Sequence, residues 1–260
     1  MVLFKKSRFL FSTFFRFSAN TLISFVSSVR RDVSIPPLDY PILLSFEQFT
    51  KRLNTGDIIL FHGDSYFDRI TCFLERNPWS HVGMIIKGKN NETYLWESTI
   101  KSNVKDVLHQ ETKDGPQLTL LKDRLTNGVK TNGHSGWAYR QLQIDDRLRS
   151  FNEALKQIIN IEHQKDINSA VGVFLEVALG RYLNIKINEK KIFCSKLMVL
   201  TYMQLGLVSK KAVSNGYQPK DFSSGSNKLE FLQQEITLSI EHYFKPVMVH
   251  EKLSIRITSN

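Results

Sequence analysis

The sequence predicts an α+β fold in which a small antiparallel sheet packs against helices. Three observations carry that expectation. Two strand-like runs, at about 81–87 and 93–98, are joined through Gly88-Lys89-Asn90-Asn91, residues suited to a hairpin turn. Apolar residues at helical spacing recur on both sides of them, at Phe67, Ile70, Phe73 and Leu74 and again at Leu197, Leu200 and Met203. With 260 residues, 42% of them hydrophobic, the chain can bury one substantial core without a second domain.

Residues 1–34 read as a basic, Phe-rich targeting or membrane-contacting segment. Phe4, Phe9, Phe11, Phe14, Phe15, Phe17 and Phe25 are mixed with Ser, Lys and Arg, and no acid precedes Asp32. Two processing signals compete there. The acid-free, Ser-rich composition has the character of a mitochondrial presequence. Lys5-Lys6-Ser7-Arg8 ahead of Phe17–Val29 has that of a signal peptide or anchor. Only 13 residues separate Arg16 from Arg30, too few to span a bilayer, so an interfacial amphipathic helix is a third reading. The expected location is therefore membrane-associated through residues 1–31, with a mitochondrial alternative.

Residues 35–44, with Pro36, Pro37 and Pro41, read as a stiff linker, and 45–260 as the folded domain. Ser45 is placed to cap a helix carrying Phe46, Phe49 and Leu53, which Asn54-Thr55-Gly56 stops. Asp57–His62 reads as a buried strand, and the Phe67–Leu74 helix that follows ends at Asn77-Pro78. Beyond the hairpin, a less regular stretch to about 136 holds one short strand at Gln117–Leu121. Trp137–Ile144 alternates as a strand does. Leu148, Phe151, Leu155, Ile158 and Ile159 line a helix, and Ala170–Leu183 suggests another, buried one. A final helix runs from Cys194 to Gly206. After the turn-rich Gly216–Phe222, the chain returns to extended patterning at Tyr243–Ile257.

Charge and cysteine content exclude several classes. Of the net charge of +10, residues 1–31 hold +6, leaving a nearly balanced body without the basic face of a nucleic-acid binder. Cys72 and Cys194 are too few for a disulfide scaffold, and no Cys or His pair has zinc-ligand spacing. No metal, cofactor or nucleic-acid partner is expected.

Cys194 stands out because an apolar approach, Ile192-Phe193, turns there into a helical pattern. A thiol at a helix N-terminus faces unpaired N–H groups and the positive end of the macrodipole, which favour the nucleophilic thiolate. His81 opens one strand of the hairpin and Glu97 lies in the other, so a base and a carboxylate to orient it are available. The backbone N–H of Cys194 is the natural oxyanion donor. Each residue alone has an ordinary structural reading: a core cysteine, a satisfied histidine, a solvent-facing glutamate. Their joint occurrence points to acyl-transfer chemistry. Cys72, beside Phe73 in an amphipathic helix, reads as core, and His62 and His134 rank below His81 as bases.

The segments Thr55–Phe61, Trp79-Ser80-His81-Val82-Gly83-Met84-Ile85, Glu97 and Phe193-Cys194-Ser195-Lys196-Leu197 resemble the circularly permuted papain-like enzymes of the NlpC type. That group is related to the lecithin retinol acyltransferase-like proteins. Tyr217–Phe222 is similar to the segment after the catalytic helix there, and the likeness covers about residues 45 to 235. It implies a permuted papain-like fold, a Cys194 nucleophile, a His81 base and a downstream polar residue, Glu97, orienting it. Where the family often has an acid two positions after the cysteine, this chain has Lys196. The implied activity is a thiol hydrolase that cleaves amide, ester or thioester bonds in acyl-lipid or peptide substrates. A lipid acyltransferase using the same triad is the first alternative. A catalytically inactive membrane-associated binding or scaffold protein is the second.

Overall fold

The computed structural model describes residues 35, 37–88, 92–100, 103–131, 133–145, 151–167, 169–187 and 190–258. Residues 1–34, expected from the sequence to be a targeting or membrane-contacting segment, the hairpin residues 89–91 and Leu148 lie outside them. In chain order the described strands are β1 (Ile42–Ser45), β2 (Ile58–Gly63), β3 (His81–Lys87), β4 (Thr93–Thr99), β5 (Gly115–Leu120), β6 (His134–Arg140), β7 (Leu142–Gln143), β8 (Thr237–Leu238), β9 (His242–Val249) and β10 (Lys252–Ile257). The helices are α1 (Phe46–Thr50), α2 (Tyr66–Glu75), α3 (Leu121–Thr131), α4 (Asn152–Glu162), α5 (Ala170–Leu183) and α6 (Cys194–Gln204).

The fold is α+β as expected, but its sheet is not small. Eight strands join in the order β1-β10-β9-β6-β2-β3-β4-β5, and neighbours are antiparallel. Part of the added width comes from the expected linker. Its last residues, Ile42-Leu43-Leu44, pair with Ile257, Arg256 and Ile255 of β10 as an edge strand. Trp137–Ile144 divides, with β6 in the main sheet and β7 pairing with β8 in a two-stranded one.

Because successive strand residues point to opposite faces, β2 and β3 fill two cores at once. Ile58, Leu60, Val82 and Met84 meet Leu197, Met198 and Tyr202 of α6 on one face. Ile59, Phe61 and Ile85 meet Phe49 of α1 and Leu121 and Leu125 of α3 on the other. Helix α3 occupies the stretch that reads as irregular. Thr126, Asn127 and Gly128 are weak helix formers, so its local signal is faint. Burial of Leu121 and Leu125 supplies what propensity does not.

Two contacts seat the segment after α6. Arg140 of β6 donates to the carbonyl oxygens of Phe222 at 2.6 Å and Leu238 at 2.9 Å. Helix α5 also packs against the turn Ser214–Gly216. A Cβ on Gly180 would stand 2.5 Å from Asn215 Nδ2 and 2.6 Å from the Gly216 backbone nitrogen. Gly to Ala within a helix normally stabilises by about 0.5–1 kcal/mol. Here the turn must move, and overpacking of this kind costs about 1–3 kcal/mol. Gly180→Ala is therefore expected to lower the urea midpoint, the opposite of the propensity effect.

Candidate active site

Strand β4 sets the positions of two different partners. Trp96 Nε1 donates to Thr201 Oγ1 at 3.2 Å, and Ser98 Oγ donates to the Ile192 carbonyl at 2.6 Å. These bonds fix α6 and the residues leading into it. Glu97, between them, points the other way and accepts from Arg124 Nε at 2.7 Å on Oε1. Its Oε2 lies 2.6 Å from His81 Nε2. Gly83, two residues along from His81, leaves the room this requires: a Cβ there would come within 3.3 Å of Glu97 Cβ.

Cys194 is the first residue of α6 and is partly exposed, whereas Ser195 to Met203 are all buried. Phe193, the preceding residue, is extended and gives the helix no side-chain cap. No capping side chain therefore competes for the first-turn amides. Ser195 Oγ donates to the Tyr217 carbonyl at 2.9 Å, which ties the helix start to the following loop. Cys194 and His81 line the same cavity, and the sulfur lies close enough to act on the charge of the ring. The structure thus brings together all three residues that the sequence singles out.

Electrostatics follow from that chain of contacts. Burial opposes a charge on His81, but the Cys194 sulfur and the Glu97 carboxylate overcome it and raise the ring to about 10. Burial pushes Glu97 up, and Arg124 and His81 bring it down to about 2. Arg124 is the participant that sequence reasoning missed. It sits on α3, the helix with the faint signal, and its guanidinium lies 5.0 Å from the Phe61 ring centroid. The Leu121/Leu125 spacing is the only trace of that helix in the sequence.

The competing residues are accounted for. Cys72 donates to the Pro78 carbonyl at 3.2 Å and is pushed up to about 12 by burial and by Asp68 and Glu75. His62 engages the same carbonyl through Nδ1. His134 borders the cavity but is held down to about 3 by burial, Arg124 and His81. Lys196, the departure from the family pattern, is buried, with Nζ 2.9 Å from both Glu176 Oε2 and the Lys191 carbonyl.

Cys194 and His81 open on a cavity of about 690 Å³. Phe67 of α2, Val173, Phe174 and Val177 of α5, Ile100 and Phe193 give it apolar walls. Ser80, Asn127 and Gln218 supply polar groups. The Phe67 and Phe174 rings are 5.4 Å apart. A second cluster, Asp106, His109 and His163, was also not legible, because His163 lies more than fifty residues along the chain from the other two. Among the described residues no helix is long and apolar enough to cross a membrane.

No protein-family model matches the chain, and no curated protein sequence does. Among solved structures, the metalloprotein yiiX from Escherichia coli O157:H7 is similar over 73% of this chain and 97% of that one. The two are 15% identical, with a TM-score of 0.40.

The two shifts have opposite consequences for stability. Glu97 is lowered to about 2, so its contribution is present above about 4.5 and lost as pH falls toward 2. His81 is raised to about 10, so its contribution is present below about 6.5 and lost as pH rises toward 10. Urea midpoints measured across this range should fall less steeply at the acid end for Glu97→Gln than for the parent. The His81 ring, followed by NMR, should titrate lower in the variant.

Proposed function

We propose that this protein is a cysteine-dependent hydrolase of the permuted papain-like, NlpC type, acting on acyl ester, thioester or amide bonds. One observation carries the reading: His81 is bonded to Glu97 at 2.6 Å and borders, together with Cys194, a single cavity. The order of elements supports it, since the histidine strand precedes the cysteine helix as permutation requires. The apolar walls at Phe67, Val173, Phe174 and Val177 favour an acyl-chain substrate over a polar peptide.

In this reading the Cys194 thiolate attacks the substrate carbonyl carbon, forming a carbon–sulfur bond and a tetrahedral oxyanion. The Cys194 backbone N–H, at the start of α6, donates to that oxygen. Collapse breaks the bond to the leaving group, which takes the His81 proton. The neutral imidazole then removes a proton from water, whose hydroxide attacks the thioester and releases the acid. The Cys194 thiolate and His81 imidazolium are restored. Glu97 holds the ring in one orientation throughout, and Arg124 keeps Glu97 ionised. A lipid acyltransferase differs only in the acceptor that replaces water.

An electrophilic acyl probe tests the assignment. Labelling should be fast at neutral pH, absent in Cys194→Ala and unchanged in Cys72→Ala. In His81→Ala it should be slower by about 10²–10⁴-fold. Label on Cys72, or none on Cys194, would favour the catalytically inactive binding or scaffold protein. Turnover of a long-chain acyl ester, with and without an added lysolipid or amine, separates hydrolysis from transfer by the product formed.

A further inference from the structure

The connection between β4 and β5 is organised by one buried carboxylate. Asp106 Oδ1 accepts from the Leu118 backbone N–H at 2.8 Å, and Oδ2 accepts from those of Leu108 at 3.1 Å and His109 at 2.9 Å. These bonds hold Oδ2 where two imidazoles converge. His163 Nε2 is 3.0 Å away and His109 Nδ1 is 3.6 Å away. The three ligand atoms all lie within 4.8 Å of one another.

Those distances can be compared with what an ion needs. Zinc holds nitrogen and oxygen ligands at about 2.0–2.1 Å, which places tetrahedral ligand atoms about 3.3 Å apart. Two of the three separations, 3.0 and 3.6 Å, bracket that value, and the third is within 4.8 Å. His163 caps the C-terminus of α4 and its side chain is 3% exposed. Its Nε2 makes no well-directed hydrogen bond, although Asp106 Oδ2 stands so near. His109 is more than half exposed, which leaves a path for entry. Lys113, the nearby ammonium, is turned onto the His163 carbonyl at 2.6 Å.

We propose that Asp106, His109 and His163 form a binding site for a borderline divalent transition cation, zinc foremost, that ties the β4–β5 connection to the end of α4. Two imidazoles and one carboxylate are a donor set for zinc, cobalt or nickel rather than for magnesium or calcium, which want oxygen. A water completes the tetrahedron. None of the three residues lines the Cys194 cavity, so the ion takes no part in the acyl chemistry. Its role is mechanical. The two segments it joins lead to Asn103 and Ile167, which do line the cavity, so the bound cation braces that rim.

The test uses the full chain carrying Cys194→Ala, which removes the cavity thiolate as a rival ligand. Titration with cobalt should give d–d bands at about one ion per chain, and zinc should displace it. His109→Ala, a change at an exposed side chain, should weaken binding by more than the ~10–100-fold that loss of a ligand's hydrogen-bond partner costs. His250→Ala, at an exposed turn, should leave affinity unchanged. Zinc should raise the melting temperature of the Cys194→Ala chain and not that of the chain also carrying His109→Ala. No stoichiometric binding, or binding indifferent to His109→Ala, overturns the proposal.

Discussion

The site depends on a carboxylate that has been taken out of water. Glu97 is fully buried, and a lone buried anion at that position would protonate rather than persist. Arg124 prevents this by meeting Oε1 at 2.7 Å, which leaves Oε2 for His81. The order of influence runs from arginine to glutamate to histidine to cysteine, each member fixing the next. With His81 protonated, Arg124, Glu97 and His81 together carry one net positive charge, facing the cavity in which Cys194 sits. Negative charge that develops there is met by a compensating field already in place.

Alternation along β4 makes this arrangement compatible with a packed core. A single extended strand presents Trp96 and Ser98 to the cysteine helix and its approach, and Glu97 to the opposite layer. Cys194 and the carboxylate that holds His81 are therefore referenced to the same backbone. Any slip of β4 by one residue would exchange the two sets and dissolve both. Pairing on both sides, with β3 and with β5, holds it in register.

What the sequence made legible divides along the same physical line. Strong local periodicity revealed β2, β3, β4, α2, α5 and α6, and turn chemistry placed the breaks between them. His81, Glu97 and Cys194 were recognisable because each sits at a conspicuous place in such a pattern. Arg124 was not, because Thr126, Asn127 and Gly128 blur α3, and only the tertiary burial of Leu121 and Leu125 makes it a helix. The width of the sheet was hidden for a related reason. Ile42-Leu43-Leu44 follows prolines and looks like tether, and its partner in β10 lies near the other end of the sequence. Asp106, His109 and His163 escaped notice because spacing rules see neighbours in the chain, not in space.

The pairing of β1 with β10 bears on how the molecule is made. Among the described strands β1 is made first, yet the neighbour it pairs with is the one made last. β6 likewise waits for β9 on its outer side. Until β9 and β10 are made, β1 has no mate in the sheet and β6 pairs only with β2, and closing such distant loops is slow. The sheet is therefore completed only once β9 and β10 have been made, not by progressive vectorial assembly.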